Sequence, residues 1–234
     1  MPALPPTETP RTTLFSDGNV FLLSQYQTQV RRLLNDAQKN YWSDPELTDY
    51  INEARIRTAI KTLCVRKFQI GTIQANQEQY EYTDVNLALP LGNQVIDIVN
   101  ITALWNSARI PLGWAPFTQF NGCFRGFVGH TSVPVAFTIY NASEFWIAYL
   151  PDQNYVAEFD TAIKPLNLAS DNSVDTIPSP YDQAVKYWAA RLARLKLQQY
   201  AEAKAQEKMF EDEIGHLGAM PPRRIPYAWE NEVF

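Results

Sequence analysis

The chain has 234 residues, of which 46% are hydrophobic and 19% are charged, a composition typical of a sizeable globular domain. Its formal net charge of −5 argues against a general nucleic-acid-binding protein, because such proteins carry a basic surplus. No apolar run approaches the roughly 20 residues that cross a bilayer, and the first residues lack the apolar segment of a signal peptide. We therefore expect a soluble protein made in a cytoplasm, with no membrane partner.

Residues 1–18 are predicted to form an extended N-terminal arm, because they are rich in proline and threonine and offer little to bury. A helical part is expected over residues 19–68. Its first helix is indicated by apolar residues at helical spacing, from Leu22 to Ala37. Polar residues between them, including Gln27 and Arg31, are predicted to form a solvated face.

The second helix is expected to begin at the sequence SDPE. Ser43 can cap the free backbone N–H groups, Glu46 can bond back to the Ser43 N–H, and Pro45 is tolerated in a first turn. Two apolar stripes follow, which is typical of a helix packed from two sides. The first stripe is Leu47, Tyr50, Ile51, Ala54 and Thr58, and the second stripe is Ile56, Ile60 and Leu63. We expect its subunit-interface residues to be Tyr50, Ile56, Ile60 and Leu63.

Residues 69–170 change character and predict a β-rich insertion. β-Branched and aromatic residues concentrate in short runs such as QVIDIVNITALW and EFWIAYL, and proline and glycine separate these runs. We expect five to seven short antiparallel strands. Together with the helices they predict an α+β fold, in which a helical bundle carries an inserted antiparallel β-rich module and extended terminal arms.

Residues 177–214 are predicted to form one long C-terminal helix, with Ser179 as its cap and Pro180 in its first turn. Without a break, this helix would be roughly 50 Å long and would project beyond the body. An extended docking tail is expected over residues 215–234, since its prolines prevent helix formation. Candidate partner-docking residues are the apolar side chains Phe210, Ile214, Ile225, Tyr227, Trp229 and Phe234.

The sequence offers no convincing catalytic, metal or cofactor site. It has two histidines, His130 and His216, and two distant cysteines, which match no zinc pattern and are expected to be reduced thiols. Cys123 near His130, and the carboxylates Asp97, Glu144 and Glu158, are weak candidates for catalysis. We therefore predict no enzyme activity, no metal and no cofactor. An alternative is a carbohydrate-binding or receptor-binding protein that stacks sugars on Trp105, Trp114, Trp146 and Tyr149.

The order of four segments resembles the head-to-tail adaptor proteins of tailed bacteriophages, also called connector or head-completion proteins. These segments are RRLLND (31–36), YWSDPELTDYINEA (41–54), QEQYEY (77–82) and IPSPYDQAVKYWAARLARLK (177–196). The resemblance covers roughly residues 22–200 in order. It is carried by the ordered combination, since each segment alone occurs widely.

The resemblance implies a structural protein of the virion, made in the bacterial host and placed at the head–tail interface. It implies a homo-oligomeric ring, commonly a dodecamer, between the portal protein and the tail or nozzle proteins. Genomic DNA is then expected to pass through the channel without specific binding, because an acidic protein repels the phosphate backbone.

Overall fold

The computed structural model describes residues 21–90, 94–106, 108–125, 129–216 and Pro226, and these form a helical bundle and a β-module. The predicted N-terminal arm, 1–18, lies outside the described residues. The helices are α1 (Leu23–Leu34), α2 (Asp44–Thr62), α3 (Phe117–Cys123), α4 (Asp182–Lys196) and α5 (Tyr200–His216). The strands are β1 (Arg66–Ile73), β2 (Gln79–Glu81), β3 (Val95–Trp105), β4 (Ala108–Pro111), β5 (Gly113–Trp114), β6 (Thr131–Ser132), β7 (Ala136–Ile139), β8 (Glu144–Ala148), β9 (Leu150–Pro151) and β10 (Tyr155–Ile163).

The helical bundle consists of α1, α2, α4 and α5 around one apolar core. Helix α2 contributes the fully buried residues Leu47, Ile51 and Ala54. Ser43 accepts a 3.4 Å hydrogen bond from the Glu46 N–H, which confirms the predicted cap. The Glu46 side chain does not complete the reciprocal half of the capping box. Its carboxylate instead accepts hydrogen bonds from Tyr50 and from Lys196 on α4.

The single long C-terminal helix predicted over 177–214 is wrong, because the chain reverses between α4 and α5. Gln198 lies in the left-handed region with φ 58°, and α5 folds back along α4. The reversal is visible in the contact between the rings of Trp188 and Phe210, whose centroids are 4.9 Å apart. Because apolar residues are sparse after Gln198, α5 has a single apolar face. It buries this face against α4 and does not extend beyond the bundle. Helix α4 itself begins at Asp182, not at the predicted Ser179 cap.

A buried ion pair fastens the bundle to the connecting segment 164–181. The guanidinium of Arg55 on α2 donates from Nε and Nη2 to Asp175 Oδ1, at 2.9 and 2.6 Å, and both side chains are almost completely buried. Tyr26 of α1 donates to the other carboxylate oxygen at 2.6 Å, and burial raises the pKa of Tyr26. One carboxylate therefore joins α1, α2 and the segment that leads into α4.

A second contact extends this attachment along the connecting segment. The amide of Asn52 forms two hydrogen bonds with the backbone of Leu168, donating to its carbonyl at 3.1 Å and accepting from its N–H at 2.9 Å. Arg55 also donates to the carbonyl of Leu166 at 2.7 Å. The bonds from Asn52 satisfy backbone groups of the buried Leu168 that would otherwise lack partners.

The β-module is built from two four-stranded sheets that pack face to face. Their strand orders are β1-β10-β3-β4 and β2-β8-β7-β5. Fully buried residues of both sheets, such as Phe159 and Ile101 from the first and Phe137 and Phe145 from the second, form a common core. The described residues form ten strands, more than the five to seven predicted, and the pairs β5–β7 and β6–β9 are parallel rather than antiparallel.

The first and last strands of the β-module meet the bundle side by side. Strand β1 follows α2 directly, and it pairs antiparallel with the last strand, β10, from Arg66 opposite Ala162 onward. The Ile163 N–H donates to the Val65 carbonyl at 2.9 Å where the two strands reach the bundle. The inserted module is therefore closed at its base by a pairing of its own first and last strands.

The outer faces of the two sheets are covered differently. Phe120 of α3, and Phe124 directly after it, pack against Trp146 and Ala148 on the outer side of the second sheet. On the first sheet, Phe68, Ile70 and Val156 remain exposed on neighbouring strands. We call the surface formed by these three residues the outer face.

Gly71 is required by a close approach of two backbones. A Cβ atom at this position would lie 2.6 Å from the Leu87 carbonyl carbon, in the 3-10 turn Val85–Leu87. Gly71→Ala should therefore destabilise the fold by about 1–3 kcal/mol, as other overpacked sites do. The measurement is chemical denaturation, with Gly122→Ala in α3 as the control because a Cβ atom there would meet no neighbouring element within 4 Å. Equal stability of the two variants would contradict this assignment.

Candidate functional site

The weak catalytic candidates are spread over both sheets, the end of α3 and the region that follows it. Cys123 and His130 are exposed, and Glu144 lies in a different sheet from Asp97 and Glu158. Glu158 forms a 3.0 Å ion pair with Arg109. Within the described ranges, no group of three or more His, Cys, Asp and Glu side chains is arranged to hold a metal ion.

The four aromatic residues of the carbohydrate-binding alternative do not form one stacking platform. Trp146 is buried between α3 and its own sheet, with the Arg125 guanidinium 4.5 Å from its ring centroid. Trp105 ends β3 in the other sheet. Tyr149 lines a shallow cavity of about 680 Å³ together with Arg125, His130 and Glu78. A sugar chain would therefore meet separated aromatic rings.

Of the predicted subunit-interface residues on α2, Ile60 is the most exposed, at 43%. Ile56 and Leu63 are half-buried. Tyr50 packs edge-on against Trp42, and burial together with its hydrogen bond to Glu46 raises the pKa of Tyr50 to about 12. The second stripe of α2 therefore offers Ile60 as its main apolar contact, while Tyr50 contributes mostly to the chain's own packing.

The predicted docking residues at the C-terminus divide into two groups. Phe210 is fully buried and Ile214 nearly so, and both belong to the core of the bundle. In this conformation they pack within the chain and are not on its surface. The others, Ile225, Tyr227, Trp229 and Phe234, lie outside the described residues.

One end of the bundle carries a second exposed apolar surface, which the sequence pattern did not indicate. Tyr41 in the α1–α2 turn, Leu197 in the α4–α5 turn and Tyr200 at the start of α5 are all exposed, Tyr41 by 78%. We call this surface the distal end. The distal end lies at the start of α2. The β-module follows the other end of this helix, which is roughly 28 Å long at 1.5 Å per residue.

A buried salt bridge holds the turn that presents Tyr41. Arg31 Nη1 donates to Asp36 Oδ2 at 2.9 Å, and both side chains are buried. Asp36 also accepts the backbone N–H groups of residues 40–42 at 2.8–3.2 Å. The prediction that Arg31 and Gln27 lie on a solvated face was wrong, because Arg31 is buried in this turn and Gln27 bonds to Thr48 on α2.

Charged side chains near both exposed surfaces are paired within the chain. At the distal end Lys39 bonds to Asp44 at 2.8 Å, and Arg194 to Glu202 at 2.8 Å. The pKa of the Asp44 carboxyl is lowered by its hydrogen bonds to Lys39 and Arg31. On the outer face, Arg109 pairs with Glu158. The charges beside these apolar side chains thus already have partners within the chain.

The described residues thus expose apolar side chains on two surfaces, the outer face and the distal end. Comparison with protein families places the chain among the adaptor proteins of bacteriophages, which are structural components of the virion and not a class of enzymes. The particular family is described as SU10 adaptor protein, its model matches residues 22–228, and the chain belongs to it. The search of curated proteins found no match. No helix among the described residues is long and apolar enough to cross a membrane.

Asp36 is the residue on which the Tyr41 turn depends. Asp36→Ala would remove the buried partner of Arg31, leaving it only the half-exposed Asp44 as a carboxylate partner, and would leave three backbone N–H groups without an acceptor. We expect a loss of about 3–5 kcal/mol in the free energy of unfolding, measured by urea denaturation. Lys39→Ala, which breaks an exposed pair, should cost about 1 kcal/mol or less. Similar losses in the two variants would show that the turn does not depend on the buried pair.

Proposed function

We propose that this protein forms the adaptor between the portal vertex of a phage head and the tail. There it would help to close the head and provide the surface to which the tail attaches. The observation that carries the proposal is the family match, which extends over residues 22–228 and so includes both the bundle and the β-module. The separate exposed surfaces support it, because an adaptor has to contact more than one partner.

The assembled form that we propose is a homo-oligomeric ring, with twelve copies as the expected number. Copies would contact each other through the second stripe of α2, with Ile60 as its exposed residue, and through the outer face. Portal and tail or nozzle proteins are the proposed heterologous partners. Genomic DNA would pass through the ring without specific binding, consistent with the net charge of −5.

A charge placed in a subunit contact should prevent assembly without unfolding the chain. Ile60→Asp is expected to weaken subunit association on purified portal particles more than tenfold, since a buried unpaired carboxylate is costly. The number of bound copies is measured by native mass spectrometry, with and without portal. Wild-type protein should be monomeric alone and should form the ring on the portal.

Val85→Asp is the matched control for this experiment. Val85 is 91% exposed in the 3-10 turn and lies outside the proposed contacts. Phe68→Asp tests the outer face in the same way. Full occupancy by the Ile60→Asp protein would exclude the α2 contact, and an equal defect in Val85→Asp would show that the charge acts non-specifically.

The C-terminal tail is proposed to dock on the portal. Deleting residues 221–234 should abolish stable attachment to portal particles, because it removes Ile225, Tyr227, Trp229 and Phe234. The body should remain folded by circular dichroism, since the deletion removes none of the residues in the described core clusters. Deletion of residues 1–14 serves as a control for loss of an arm in general. Portal binding retained after the C-terminal deletion would count against this role.

A further inference from the structure

Strand β5 forms the outer edge of the second sheet, beyond β7. The N–H groups of Gly113 and Ala115 donate toward β7, to Val135 and Phe137, at 2.9 and 3.1 Å. Successive residues of a strand direct their backbone groups to opposite sides, so Trp114 directs its N–H and carbonyl away from β7. The outer side of β5 is therefore an edge at which another strand can pair.

The C-terminal segment approaches this edge. Pro226 forms a parallel β-bridge with Trp114. Proline has no N–H, so a parallel bridge centred on it has to use the N–H and carbonyl of Trp114 rather than those of Pro226. This is a position at which a proline can join a sheet, because its nitrogen is not needed as a donor.

Helix α5 brings the chain back to the end of the bundle that carries the β-module. Helix α5 ends at His216, and the ion pair between Glu211 and Lys61 holds its last turns beside the end of α2, from which β1 continues. From residue 216 to residue 226, an extended chain reaches about 33 Å at ~3.3 Å per residue.

We infer that the outer edge of β5 is the docking site for the chain's own C-terminal segment centred on Pro226. This contact attaches the tail to the β-module within a single chain, before any partner binds. Where the proposed portal docking holds, the candidate docking residues Tyr227, Trp229 and Phe234 follow this contact directly in sequence. A tail already held at one point loses less conformational freedom on binding.

The test is cross-linking in the full-length chain without portal, so its outcome is independent of the proposed function. Trp114→Cys and Pro226→Cys are combined in a Cys64→Ala, Cys123→Ala background, since paired residues lie within the Cα distance that disulfides require. The control pair is Trp105→Cys with Pro226→Cys, because Trp105 is exposed on the other sheet. On mild oxidation we expect a disulfide within the monomer for the 114–226 pair, in at least tenfold higher yield than for the control.

Equal yields for the two pairs, or disulfides found between chains alone, would overturn the inference. The wild-type protein supplies a second measurement in case the Trp114→Cys chain does not fold. Residue-resolved hydrogen exchange of the monomer should show the Trp114 amide protected at least tenfold relative to an unstructured peptide. A Trp114 amide that exchanges at the unstructured rate, while those of Gly113 and Ala115 are protected by β7, would also overturn it.

Discussion

The pair of Arg55 and Asp175 is the contact on which the rest of the structure depends. Asp175 lies in a segment without regular secondary structure, yet it accepts hydrogen bonds from α1, from α2 and from the backbone N–H of Ile177. Such a pair is costly to desolvate, and it is retained only when further hydrogen bonds satisfy the remaining donors and acceptors. Here Asn52 and the Leu166 carbonyl complete the set. The path of the chain out of the β-module and into α4 is thereby fixed.

A second buried carboxylate is satisfied less completely. Asp182, the first residue of α4, is buried near Asp175, and one of its oxygens lacks a partner among the described residues. Burial raises the pKa of its carboxyl, and the charge of Asp175 adds to that effect. The favourable position at a helix N-terminus offsets part of this cost. Asp36, Asp175 and Asp182 all lie in connecting segments of the bundle or at the start of a helix. Backbone groups at these positions lack partners within a helix, and buried carboxylates can accept their hydrogen bonds.

Much of the fold could be predicted from the sequence, because helical periodicity and strand composition are local signals. The start of α2 at Ser43, the β-rich insertion and the α+β class were all recognisable in this way. The break at Gln198 was not, since Ala, Glu, Lys and Gln favour a helix on either side of it and no proline or glycine marks the turn. The burial of Arg31 was missed for a related reason. Its partner Asp36 lies in the turn after α1, and the spacing of residues along a helix does not reveal an ion pair with a residue outside it. The outer face was missed because the alternation of side chains along β1 does not show which face of the sheet is covered by other elements.

The way in which β1 and β10 close the base of the β-module has a consequence for how such a chain can diversify. Val65 and Ile163 are neighbours in space, so a segment of nearly one hundred residues leaves and re-enters the bundle at a single point. Insertions at points of this kind can be lengthened, shortened or exchanged while the host core is preserved. The bundle can then keep one set of contacts while the module is remodelled for another. A chain that has to match two unrelated partners can in this way adapt to each of them separately.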